Sequence, residues 1–123
     1  MDSTALRADR ADVRQSDDEH TLILGAAGVH VLLIRLRYDG WVDELIDNAG
    51  TVATWAVNAW TLIGHDLSLE LTRAAAALLG LPRELELRLD VDDDGIRLVR
   101  AALLEILSCA CFVVDTPEGR VSR

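Results

Sequence analysis

Lysine is absent from this 123-residue chain; all 12 basic residues are arginine. That absence removes a phosphate-loop lysine, a Schiff-base lysine and a lysine general base together. Aromatic side chains are scarce as well, with three tryptophans, one tyrosine and one phenylalanine. Histidine occurs only as His20, His30 and His65. No two are four apart, so no helical face can offer two imidazoles to a metal. Cysteine occurs only as Cys109 and Cys111, a spacing that would close a small, strained disulfide ring. Reduced thiols packed as small buried hydrophobes are expected instead. The longest apolar run, Leu22 to Ile34, is interrupted by Gly25, Gly28 and His30 and falls short of the roughly 20 residues of a membrane-spanning helix. The opening segment mixes acids with arginines in place of a basic-then-apolar leader, so a cytoplasmic location is expected.

What is present is acid and apolar bulk. Twenty-one acidic residues give a net charge of −9, and half the residues are apolar. The length suits one domain with one core, since domains run to about 100–150 residues. The net acidity argues against nucleic acid, whose phosphates demand a basic footprint. Residues 1–19 carry little large apolar bulk beyond Leu6 and Val13. Such a segment buries too little surface to offset its ordering entropy, and a disordered acidic and arginine-bearing tail is expected. A single helical domain is placed at 20–115, with 116–123 as a flexible C-terminal tail.

Hydrophobic periodicity predicts a mostly α fold, a compact bundle of four to five helices, with an α+β arrangement as the alternative. Trp41, Leu45, Ile46 and Ala49 share one helical side, with Asp39 placed to cap and Gly50 to close. Val52, Trp55, Ala56, Ala59 and Ile63 form a second stripe. Leu67, Leu71, Ala74, Ala75 and Leu78 form a third, with Asp66 as its cap and Gly80 as its stop. The last helix runs from Ile96 to about Phe112. Residues 84–91 alternate polar and apolar without exception and predict a short strand. It needs a partner, either within 29–38 or from a second subunit. Residues 21–37 are apolar all round, which leaves helix and strand both open.

Several short stretches carry candidate chemistry. Asp90-Val91-Asp92-Asp93-Asp94-Gly95 resembles the first half of an EF-hand loop, which implies calcium on Asp90, Asp92 and Asp94. Ala101 stands at the twelfth position where that loop has a bidentate glutamate, so a helix-capping turn is the competing expectation. Thr21–Gly28 with Asp47-Asn48-Ala49-Gly50 resembles fragments of a short-chain dehydrogenase, but Val31 occupies the place of the third glycine. An apolar core element explains the same residues. Glu44 and Asn48 are similar to a histidine-kinase-type ATPase box, though its glycine-rich lid motifs are missing. Gly64-His65-Asp66-Leu67 is similar to a carrier-protein attachment site whose serine is replaced by leucine.

Two functional expectations follow. The first is a small acidic helical binding module, self-associating, that holds an apolar ligand or a partner through Trp41, Trp55 and Trp60. Its partners would be a second copy, a small apolar ligand or a basic protein, with no nucleic acid, membrane or cofactor. The second is a small cyclase, isomerase or lyase acting on a hydrophobic metabolite, with Asp43, Glu44, Asp47 or His65 as acid and base.

Overall fold

Polar and apolar side chains alternate along far more of the chain than residues 84–91, and the fold follows that period. The computed structural model describes residues 6–26, 29–107, 112–115 and 120–122. In chain order the elements are β1 (Leu6–Ala8), β2 (Arg10–Gln15), β3 (Glu19–Ala26), β4 (Val29–Arg37), β5 (Val42–Asp47), β6 (Val52–Thr54) and β7 (Val57–Ile63). They continue with β8 (Asp66–Leu71), α1 (Arg73–Leu79), β9 (Glu84–Leu89), α2 (Asp93–Ile106), β10 (Phe112–Asp115) and β11 (Arg120–Ser122). The strands form a five-stranded sheet ordered β2-β3-β4-β5-β6 and a six-stranded sheet ordered β1-β9-β8-β7-β10-β11. The expected helix bundle is therefore overturned: the described residues are mostly β, with two helices.

Residues directly opposite one another across a ladder share a face of the sheet. In the five-stranded sheet this groups Ala11 and Val13 with Leu22, Leu24, Leu32, Ile34, Leu45 and Ala53. Those from β3 to β6 are buried, and Ala11 and Val13 pack partly against them. Helix α2 lies on this face, over β2, β3 and β4. In the six-stranded sheet, Leu67, Leu69 and Leu71 stand opposite Leu62, Trp60 and Val57 on one side and face Leu87 and Leu85 on the other. All are buried, at about 1.5–3 kcal/mol for a fully buried leucine. One core joins both sheets and both helices.

Most of the predicted helices resolve into strands. Residues 41–49 give β5 and a turn, 51–63 give β6 and β7, and 67–78 give most of β8 followed by α1. With half the residues apolar, a helical stripe can be drawn through segments whose β-branched and tryptophan side chains prefer a pleated surface. Residues 21–37 form the β3–β4 hairpin. Because β3 pairs antiparallel with the next element, β4, and not with a strand reached through a helix, the strand-to-helix unit of the dehydrogenase-like reading is not formed among the described residues. The segment 1–19 contributes β1 and β2, and Arg120–Ser122 within 116–123 is β11. Strand β9 finds its partners in β8 and β1, not in residues 29–38. The expected helix after the aspartate turn is α2, but it ends at Ile106 and Phe112 belongs to β10. It is capped by Asp92, whose Oδ1 accepts the Gly95 N–H at 2.8 Å. Gly80 ends α1 at φ 67°. Cys109, Cys111 and the His30 side chain lie outside the described residues.

Candidate docking surface

The four candidate acid-base residues do not converge. Asp43 and Glu44 are neighbours on β5 and point to opposite faces of the sheet. Asp47 ends that strand, its Oδ1 accepting the N–H groups of Ala49 and Thr51 at 3.0 and 2.9 Å. His65 sits in the turn between β7 and β8, its Nδ1 2.9 Å from the Leu89 carbonyl. Since a carbonyl only accepts, that nitrogen carries the proton. The aspartates of the 90–94 turn also diverge. Asp90 accepts from Arg7 Nε at 2.9 Å, Asp92 caps α2, and Asp94 pairs with Arg97. Among the described residues no three metal-ligating side chains come together.

The tryptophans separate into one core residue and two surface residues. Trp60 is buried, its Nε1 without a hydrogen-bond partner among the described residues. Trp41 and Trp55 are 57% and 52% exposed. They lie at the same end of the five-stranded sheet. Trp41 precedes β5 by one residue, and the Trp55 N–H donates to the Asp43 carbonyl at 2.9 Å. The β2–β3 turn reaches the same end, where the Tyr38 N–H donates to the Asp18 carbonyl at 2.9 Å and Gln15 Nε2 donates to the Tyr38 hydroxyl at 3.1 Å. The Tyr38 and Trp41 rings are 5.6 Å apart and tilted by 56°.

Both exposed tryptophans hold a left-handed backbone, φ 55° at Trp41 and 51° at Trp55. For a bulky L-residue that conformation costs about 1–2 kcal/mol. Glycine would occupy it freely, as Gly40 does next door at φ 84°. The fold thus carries local strain at two positions whose indoles contribute little to its own core.

Carboxylates share this end of the sheet. Asp17 and Asp18 are exposed in the β2–β3 turn and Asp39 in the β4–β5 turn, and they make no ion pair among the described residues. A cleft beside them is lined by Asp18, Glu19, Arg35, Arg37 and Asp39. Both of its guanidinium groups are engaged by Glu44, whose side chain is only 6% exposed. Arg35 Nε and Nη2 lie 2.7 and 2.5 Å from Glu44 Oε1, and Arg37 Nη1 is 3.7 Å from Oε2. This end of the sheet therefore presents exposed aromatic rings together with carboxylates that make no ion pair among the described residues.

Behind the rings, Asp43 is buried. Desolvation pushes its pKa above the usual carboxylate value, against a hydrogen bond from its own backbone N–H, and the nearby Glu44 charge adds to the rise. A carboxyl whose pKa is higher folded than unfolded binds protons more tightly in the folded state, so stability falls as pH rises through the folded pKa. Asp43→Asn, which keeps an acceptor for that N–H, is expected to raise the melting temperature at pH 7. The gain should vanish below the unfolded value of 3.8, as thermal melts at the two pH values would show.

Tyr38, Asp17 and Asp18 were not singled out by sequence reasoning. The signal was there in the Asp39-Gly40 dipeptide, which marks a turn flanked by Tyr38 and Trp41. No helix among the described residues is long and apolar enough to cross a membrane. Comparison with protein-family models, with curated proteins and with solved structures finds no match.

Proposed function

We propose that this chain is an acidic, β-rich binding module that docks a cationic segment of a protein partner on Tyr38, Trp41 and Trp55. The observation that carries the reading is the pair of exposed tryptophans held in left-handed backbone at one end of the sheet, where exposed carboxylates make no ion pair among the described residues. An arginine or lysine over an indole face gains about 0.5–1 kcal/mol at an exposed site and more as water is excluded. Asp17, Asp18 and Asp39 would steer such a group to the rings and disfavour an anionic one. The same carboxylates oppose an anionic lipid surface. We read the setting as cytoplasmic, because the only two cysteines are spaced too closely for an unstrained bridge.

The enzyme reading receives less support, since its four candidate residues occupy separate places and the three tryptophans do not wall one pocket. A titration of tryptophan fluorescence with a short arginine-rich peptide tests the binding reading. A dissociation constant on the order of 10–100 μM at low salt, weakening about tenfold in high salt, is expected. Equal binding of a glutamate-rich peptide of the same length, or no response at about 1 mM, would sink it.

A further inference from the structure

Strand β2 forms one edge of the five-stranded sheet with six residues, whereas the other edge strands, β1, β6 and β11, have three each. The Ser16 N–H donates to the Glu19 carbonyl at 2.9 Å, extending the register in which Gln15 faces His20. Hydrogen-bonded and non-hydrogen-bonded pairs alternate along an antiparallel ladder. Arg10, Asp12 and Arg14 therefore direct their backbone groups to β3. Ala11, Val13 and Gln15 direct theirs outward, to the free edge. Edges left open in this way are commonly blunted with charged side chains, and a row of one sign would repel a second copy. Here the exposed side chains on the face away from α2 alternate in sign as Arg10, Asp12 and Arg14. The Arg10–Asp12 contact within the strand is long, at 3.8 Å, and exposed, and so holds neither side chain firmly.

We propose that two copies of the chain pair β2 against β2, antiparallel about a two-fold axis, with Val13 opposite Val13 of the second copy. The occupant of the edge follows from the pattern of charge and backbone. In this register Ala11 faces Gln15 of the second copy, so every outward N–H and carbonyl of β2 is used. Asp12 then stands opposite Arg14 of the second copy, and Arg14 opposite Asp12. Both are non-hydrogen-bonded pairs, where cross-strand side chains approach most closely. Moving the register by two residues in either direction sets Asp12 against Asp12 or Arg14 against Arg14. A one-residue shift breaks the alternation and turns the apolar face outward. On the α2 side, Val13, Leu98, Ala101 and Ala102 line a groove together with His20 and Glu105, and Leu98 is 40% exposed. Bringing in the second copy's Val13 covers the open side of that groove.

Sedimentation equilibrium of the full chain at micromolar concentration tests the pairing, with circular dichroism to confirm that each variant folds. The wild-type chain should be a dimer. Asp12→Arg and Arg14→Asp each turn two attractions into repulsions and should weaken the dimer about tenfold or more. The chain carrying both changes restores opposite charges in the same register and should dimerise like the wild type. A mixture of the two single variants should form a heterodimer. A monomeric wild type, single variants that dimerise unchanged, or a double variant that stays monomeric would each overturn the proposal. The two side chains are exposed, so the substitutions leave the core untouched.

Discussion

Arg35→Met is expected to lower the unfolding free energy by about 2–4 kcal/mol, a large share of the roughly 5–15 kcal/mol that holds a domain of this size together. Arg35 lies on β4 directly opposite Glu44 on β5, and two of its nitrogens meet one Glu44 oxygen. Methionine keeps much of the volume and removes the charge. The Glu44 carboxylate, 6% exposed, is then left with Arg37 at 3.7 Å as its nearest cation. A buried charge stripped of its partner keeps its desolvation cost and loses its compensation. The companion experiment is Arg35→Met with Glu44→Met, which replaces the pair by two apolar side chains and should return stability to within about 1 kcal/mol of wild type. Urea unfolding followed by tryptophan fluorescence measures both. A single variant as stable as the double would show that the pair is solvated and contributes little.

The residues that make this ion pair also show what the sequence could and could not convey. Strand β9 was legible because Glu84 to Val91 alternates without interruption, and α2 was legible because its stripe follows an aspartate cap. The same alternation runs through Arg10-Ala11-Asp12-Val13-Arg14 and Leu67-Ser68-Leu69-Glu70-Leu71, where it is diluted by small residues or overlaps a helical stripe. At 51–63 a helical stripe can be drawn through Val52, Ala56 and Ala59, whereas the residues the sheets bury are Ala53, Ala56, Val57, Trp60 and Leu62. The decision falls to pairing with β5 and β8, distant contacts that local spacing does not encode. Trp41, Trp55 and Trp60 stand out together by composition. The left-handed backbone of Trp41 and Trp55, and the turn that brings Asp17 and Asp18 to the same end of the sheet, exist only once β3 returns along β2. Trp60 was grouped with them by proximity in sequence, yet the alternation along β7 turns it into the core.

Replacing Trp41 and Trp55 together by glycine should separate stability from binding. At each site glycine removes the left-handed penalty of about 1–2 kcal/mol, offset in part by the greater freedom of glycine in the unfolded chain. The indoles are more than half exposed, so little packing is lost with them. The melting temperature is therefore expected to hold or rise. Affinity for the arginine-rich peptide should fall by about a hundredfold, since two stacking surfaces are worth about 0.5–2 kcal/mol each when a cation rests on them. Alanine at the same positions removes the rings and retains most of the strain. It should match glycine in lost binding and fall below it in stability. Most substitutions that abolish a structural residue lower stability and binding together. A strained residue kept for docking gives the opposite pattern. Thermal melts and a calorimetric titration of the peptide, which needs no indole as reporter, on the same four proteins, wild type, double glycine, double alanine and Trp60→Phe as the core control, decide the matter. If the glycine variant melts several degrees below wild type, the tryptophans belong to the fold, and the docking role assigned to this end of the sheet falls with that result.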